Sequence, residues 1–208
     1  MDLSQLLSGN GRLTSSSYCL NVATQEPKNG AFQKYSIVGE GMAAAIPDSL
    51  PFENAAVLPL AISTAAVGLY QKDHLGLPYP STSLKPTGKT ILVYGGSSSV
   101  GSTVIQMAVA SGLTVATTAS SRNADYVKSL GAKHVFDHSK SSLVEDVVTA
   151  LKGSEFVGVY DAIALPDTVK RSVEIGQKLG TPKVTTTIPP PKDLPEGVQA
   201  SGGEYNLV

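Results

Sequence analysis

The run KTILVYG at residues 89–95, followed at once by Gly96, three serines, Val100 and Gly101, constrains this chain more than any other feature. An apolar strand turns into a helix over so few residues only where side chains are small, and Val100 to Ser111 has helical spacing, with Val100, Val104, Met107 and Ala108 on one side. The alternation then repeats. LTVATTA reads as a second strand, Asn123 to Leu130 as a helix closing at Gly131, and HVFD as a third strand. Ser142 to Lys152 is amphipathic with Leu143, Val147, Val148 and Leu151 on one side, FVGVYDAIA is strand-like, Pro166 to Leu179 is a helix entered by a proline, and PKVTTTI is again a strand. Strands alternating with helices of this length predict βαβ units with right-handed crossovers, hence an α/β fold with a doubly wound parallel sheet. The segment IPPPKDLPEGVQASGG reads as loop, which leaves five strands where two complete mononucleotide halves have about six.

The part before Pro51 is less regular. Residues 1–30 are rich in Ser, Asn and Gly; Ala31 to Val38 alternates as a strand does, and MAAAIPDSLPF reads as a short strand running into a proline-bounded turn. Phe52 to Tyr70 is apolar on most faces and reads as a buried helix that kinks or restarts at Pro59, and Gly76 to Gly88 is a proline-rich connecting loop. Among 208 residues, 16 are Lys or Arg and 17 Asp or Glu, a net charge of −1 without the clustered basic charge of a nucleic-acid footprint. Cys19 is the single cysteine, so no intrachain disulfide forms and no Cys/His cluster marks a structural zinc. The start lacks a cationic segment followed by an apolar run, and Ala55 to Tyr70, carrying Pro59, falls short of the roughly 20 residues of a membrane span. The expectation is a soluble, cytoplasmic protein with a small-molecule substrate and neither nucleic-acid nor membrane partners.

The strand, turn and helix at 89–111 stand where a dinucleotide pyrophosphate binds. Such a site needs backbone N–H groups and a helix N-terminus close to the phosphates, with little side chain in the way. Gly95 and Gly96 supply the turn, Gly101 permits close packing of helix on strand, and Ser98 replaces the middle glycine of a GxxGxxG pattern with a small hydroxyl donor. The second strand bears on which dinucleotide. An NAD site carries Asp or Glu near its end, about 20 residues on, for the ribose 2′-OH. Here Thr117-Thr118-Ala119-Ser120-Ser121-Arg122-Asn123 holds no acid, and hydroxyls followed by an arginine suit a 2′-phosphate, which favours NADP(H). The other reading, that Ser120 and Ser121 start a helix and Arg122 is solvated, stays open.

The segments GKTILVYGGSSSVGSTVIQMAVASGLTVATTASSRNADYVKSLGAKHVFD and PFENAAVLPLAISTAAVGLY resemble the medium-chain dehydrogenase/reductase superfamily. Within it they look closest to fungal zinc-alcohol-dehydrogenase-like oxidoreductases, near the quinone reductases and trans-acting enoyl reductases. The resemblance implies a Rossmann-type cofactor domain at 51–208, incomplete at its C-terminal end, preceded at 1–50 by a partial GroES-like β segment. On that reading the chain is the middle of such an enzyme, shortened at both ends. It implies that Ser97, Ser98, Ser99 and Val100 line the pyrophosphate, with Ser120 to Asn123 around the 2′-phosphate. His138 would stand where relatives carry a tyrosine beside the adenine ribose, or be a surface histidine. Thr64 and the Ala164-Leu165 turn would approach the nicotinamide, Thr64 being the one weak candidate for a catalytic role. LPLAIST puts Ala61 where zinc-dependent relatives have a cysteine ligand, so no metal is expected.

Two functions follow. One is a zinc-independent NADP(H)-dependent oxidoreductase moving a hydride between the nicotinamide and an activated C=C or carbonyl group, such as a quinone, enone, enoyl or alcohol/aldehyde substrate. The other is a non-catalytic dinucleotide-binding domain. A sheet lacking its last strand also invites a homodimer through its edge. Asp161, at a strand end, is read as capping the following turn, and Tyr94 as packing at the end of the first strand.

Overall fold

The computed structural model describes residues 7–8, 12–13, 17–19, 43–83 and 85–202. The expected strand at 31–38 lies outside them. The chain divides into two compact units, Met1–Ser63 and Thr64–Val208.

In the first unit, β1 (Leu7–Ser8) pairs antiparallel with β2 (Arg12–Leu13), and β3 (Ser17–Cys19) pairs antiparallel with β4 (Ala43–Ala45). A turn closed by Leu50 N–H on the Pro47 carbonyl leads to α1 (Phe52–Ala55). The apolar run predicted as one helix is interrupted at 56–57 and restarts as α2 (Leu58–Tyr70), which crosses into the second unit. Pro59 then lies in the first turn, where its missing N–H has no intrahelical acceptor to lose. Phe52–Tyr70 is, by length and composition, long and apolar enough to cross a membrane. The last turns of α2, however, are packed as core: Ala65 and Leu69 are buried.

The second unit is a six-stranded parallel sheet in the order β10-β9-β8-β5-β6-β7. Its strands are β5 (Lys89–Tyr94), β6 (Thr114–Ala119), β7 (His134–Asp137), β8 (Glu155–Asp161), β9 (Lys183–Thr186) and β10 (Gln199–Gly202). Helices α3 (Ser99–Ala110), α4 (Ala124–Ser129), α5 (Leu143–Leu151) and α6 (Pro166–Lys178) connect successive strands. Numbered from β5, the order reads 3-2-1-4-5-6, that of the doubly wound dinucleotide fold, with its switch point between β5 and β8. The predicted helices and the first five of these strands lie where the patterning puts them, to within a few residues.

The sixth strand is a correction. Gln199–Gly202, read as loop, pairs in parallel with β9, Gln199 opposite Lys183 and Gly202 opposite Thr186. The sheet therefore has its sixth strand, and β10, not β9, forms that edge. QASG has neither alternation nor β-branched residues, so its strand conformation is imposed by hydrogen bonding to β9 rather than by local preference.

Alternation along the central strand separates two cores. Ile91 and Val93 join Val104, Ile105 and Ala108 of α3, Val127 of α4 and Leu69 of α2. Leu92 and Tyr94 join Leu143, Val147 and Leu151 of α5 with Val169 and Val173 of α6. Each fully buried Val, Leu or Ile among them contributes about 1.5–3 kcal/mol. Tyr94 is thus a packing residue, as its position at the strand end suggested.

Helix α2 lies on the sheet through Gly68. A Cβ there would overlap the Tyr160 ring and stand 2.6 Å from Thr185 Cγ2. Gly68→Ala is expected to lower stability by about 1–3 kcal/mol through overpacking, seen as a lower urea midpoint with an unchanged m-value.

Candidate functional site

The βα turns after β5, β6, β7 and β8 meet at the carboxyl ends of the strands. After β5 the chain reverses through Gly95 at φ +81°, a conformation that costs glycine little and other residues more. Two threonines of the neighbouring strand hold this turn. Gly95 N–H donates to Thr118 Oγ1 at 2.9 Å, Gly96 N–H to the Thr118 carbonyl at 2.9 Å, and Thr117 Oγ1–H to the Val93 carbonyl at 2.7 Å. A Cβ on Gly96 would overlap Thr117 Oγ1, so the absence of a side chain is what lets the turn sit on β6.

Ser98 caps α3: its Oγ accepts from Gly101 N–H at 3.0 Å and donates to the Gly95 carbonyl at 2.8 Å. The hydroxyl expected to face a ligand therefore closes the turn on itself. The N–H groups of Ser97, Ser99 and Val100 have no acceptor among the described residues; those of Ser99 and Val100 are first amides of α3, which have no partner within the helix. Gly101 packs so closely that a Cβ would overlap the Gly95 carbonyl oxygen. What results is a set of unclaimed donors at the N-terminus of a 12-residue helix, a setting that fits an anionic group.

After β6, Ser120 leads into a single 3-10 turn, Ser121–Asn123, with Asn123 N–H on the Ser120 carbonyl at 2.9 Å. Ser120 makes no side-chain cap bond, and Ser121 and Arg122 are exposed. Arg122 makes no ion pair among the described residues. Because Ala119 pairs with Asp137, Ser120 and His138 leave adjacent strand ends together, and His138 N–H donates to the Ala119 carbonyl at 3.4 Å. The turn beyond β7 is closed by Asp137 Oδ1, which accepts from the N–H of Ser139 at 2.9 Å and its hydroxyl at 2.7 Å. These bonds hold the Asp137 carboxyl below the usual range.

After β8, Asp161 is fully buried. Its Oδ1 accepts from Ile163 N–H at 3.0 Å and Ala164 N–H at 2.9 Å, and its Oδ2 from the Ser172 hydroxyl at 3.2 Å. Burial raises its pKa above the ordinary carboxyl value, opposed by these bonds. Asp161 is therefore the turn cap that its strand-end position suggested. The turn it holds places Ala164 at φ +56°, uncommon for a residue with a Cβ. Ile163 stands directly over Gly95, where a Cβ would overlap its Cγ1. Leu165 is exposed, and its N–H donates to Thr168 Oγ1 at 3.0 Å as α6 begins at Pro166. Thr64, buried on α2, is tied to the same end of the sheet: its carbonyl accepts from the Tyr160 hydroxyl at 2.8 Å.

The structure thus places the Gly95–Gly101 turn, Ser120–Asn123, His138 and the Ala164-Leu165 turn at the carboxyl ends of β5, β6, β7 and β8. Sequence reasoning missed the supports: Thr117 and Thr118 under the glycines, Ile163 above them, and Ser172 behind Asp161. The threonine pair at the end of the second strand was the available signal, since Thr117 stands opposite Val93, two residues before the Gly pair. Among the described residues no three His, Cys, Asp or Glu side chains are grouped to hold a metal ion, and Ala61 offers no donor.

Residues 99–197 match the family model of the zinc-binding dehydrogenases. The trans-enoyl reductase himH of Aspergillus japonicus is 46% identical over 183 residues, covering 88% of this chain and 52% of that protein. The chain spans about half the length of this and other curated relatives it matches. An alcohol dehydrogenase superfamily protein from Novosphingobium aromaticivorans superposes with a TM-score of 0.60 at 27% identity, over 80% of this chain and 48% of that one. The quinone oxidoreductase of Pseudomonas syringae pv. tomato gives 0.59 at 26% identity, over 79% and 50%. In sequence and in fold, then, the chain is similar to the zinc-binding dehydrogenases and to solved members of the medium-chain dehydrogenase/reductase superfamily.

Proposed function

We propose that this chain carries the cofactor-binding part of an NADP(H)-dependent oxidoreductase that moves a hydride between the nicotinamide and an activated C=C or carbonyl group of a small molecule. The observation that carries this reading is the set of unclaimed N–H groups of Ser97, Ser99 and Val100 at the start of α3, beside the switch point of the sheet. When bound, the nicotinamide supplies the hydride chemistry. The protein's part is to hold and orient it. The amides after β5 take the pyrophosphate, with Gly95, Gly96 and Gly101 keeping the approach clear. Ser120, Ser121, Arg122 and Asn123, with His138 alongside, take the 2′-phosphate; the segment contains no carboxylate that would repel it. Thr64, Ala164 and Leu165 border the nicotinamide.

A cytoplasmic setting and a homodimer through the sheet edge, now β10, belong to the same reading. The names of the relatives, a trans-enoyl reductase and a quinone oxidoreductase, indicate enones, enals and quinones as the compounds to screen.

The test is a titration of the 208-residue chain with NADPH and NADH, following nicotinamide fluorescence together with thermal unfolding. A preference for NADPH is expected. A cooperatively melting chain that binds neither cofactor would overturn the reading, and binding without turnover of any compound screened would leave a dinucleotide-binding domain. Arg122→Ala is expected to weaken NADPH roughly 10- to 100-fold, the worth of a charge-assisted phosphate contact, while NADH stays within about twofold. Equal losses on both cofactors would remove the assignment of Arg122 to the 2′-phosphate.

A further inference from the structure

One cation at the site is not accounted for by the fold. Arg171, in the second turn of α6, has acids within reach along its own helix, Asp167 four residues before and Glu174 three residues after. It pairs with neither: Glu174 is bound by Lys178 at 3.0 Å, and Arg171 makes no ion pair among the described residues. Its guanidinium instead crosses to the turn after β7, where Nη1–H donates to the His138 main-chain carbonyl at 3.0 Å. That turn is otherwise held from within by Asp137 and from β6 by the Ala119 carbonyl. Arg171 is thus its tie to the helix that follows β8.

We propose that Arg171 is a positioning residue for cofactor selection, holding the His138 turn at the height where it and the Ser120–Asn123 segment receive the 2′-phosphate. The inference rests on the NADP(H) reading above. A bond on an exposed turn adds little to global stability, because water competes for both partners. A turn already ordered when the ligand arrives, by contrast, need not be ordered by it, and the difference appears in affinity. NADH, with no 2′-phosphate, does not draw on that ordering.

The experiment compares the full chain with Arg171→Gln and Arg171→Lys, measuring NADPH and NADH dissociation constants by nicotinamide fluorescence and Tm without cofactor. Arg171→Gln is expected to weaken NADPH about three- to tenfold, with NADH within about twofold and Tm unchanged within about 2 °C. Arg171→Lys, which keeps a cationic donor, should recover most of the NADPH affinity. Unchanged NADPH binding in Arg171→Gln overturns the role. So does an equal loss of both cofactors with a lowered Tm, which would make Arg171 merely structural. If the parent chain itself binds NADPH and NADH alike, the NADP(H) reading falls and this inference falls with it. If the parent discriminates and Arg171→Gln discriminates equally well, only the role of Arg171 is lost.

Discussion

Replacing Gly101 by alanine is expected to lower stability by about 2–4 kcal/mol and to abolish measurable dinucleotide binding. The added Cβ would overlap the Gly95 carbonyl oxygen and stand 2.9 Å from both Gly95 C and Ser98 Oγ. These are backbone and cap atoms, so no flexible side chain can swing away. The Gly95 carbonyl accepts from the Ser98 hydroxyl at 2.8 Å and the Ser98 N–H at 3.0 Å, and Ser98 Oγ accepts from Gly101 N–H itself. Any displacement that makes room for the methyl group therefore loosens the cap and re-aims the amides of Ser97, Ser99 and Val100. Two measurements check this: the urea midpoint, and an NADPH titration below that midpoint. A variant with the parent's midpoint and affinity would show that turn and helix move apart at little cost.

The second large effect is at Asp161. Asp161→Ala is expected to destabilise the chain by about 2–4 kcal/mol, because the N–H groups of Ile163 and Ala164 and the Ser172 hydroxyl lose their acceptor in a buried place. Ala164 at φ +56° would also lose the bond that holds it there, so the 163–165 turn should open and NADPH affinity fall with stability. Asp161→Asn separates charge from hydrogen bonding. Its amide oxygen still accepts from the two N–H groups, and its NH2 donates to Ser172 Oγ. Burial, the largest influence, raises the Asp161 pKa above 3.8 in the folded chain. The folded state therefore binds more protons than the unfolded one as pH rises through and above 3.8. Asp161 favours folding most below that window, and this contribution declines as pH rises through the window to the folded-state pKa. Chemical unfolding from about pH 3.5 to 7 should show that decline in the parent relative to Asp161→Asn. Parallel pH profiles for the two would mean that Asp161 ionises as readily folded as unfolded.

Most of the second unit was legible because its local and tertiary demands agree. Leu143, Val147 and Leu151 recur every four residues and end up on one face of α5 against the sheet, and the apolar run 89–94 becomes the central strand, where both faces are covered. Asp161 and Tyr94 were read correctly from their places at strand ends. Gln199–Gly202 was not legible, since four residues without apolar alternation become a strand only when β9 presents unpaired backbone groups. The role of Ser98 was half legible: a small hydroxyl was expected in the turn, but its commitment to Gly95 and Gly101 depends on distances that spacing does not contain.

The amino-acid sequence by itself determined the alternation of strands and helices, the place of the Gly/Ser turn, and the absence of an acid at 117–123, all of which depend on residue type and spacing along one stretch of chain. Tertiary structure alone decided which remote groups complete the site. Thr117 and Thr118 hold the glycines, Tyr160 holds Thr64, Ile163 covers Gly95, and Arg171 reaches His138 across 33 residues. The physical reason is that these contacts form between neighbours across the sheet, and that neighbourhood is set by the packing of the whole rather than by any local preference of the residues that meet.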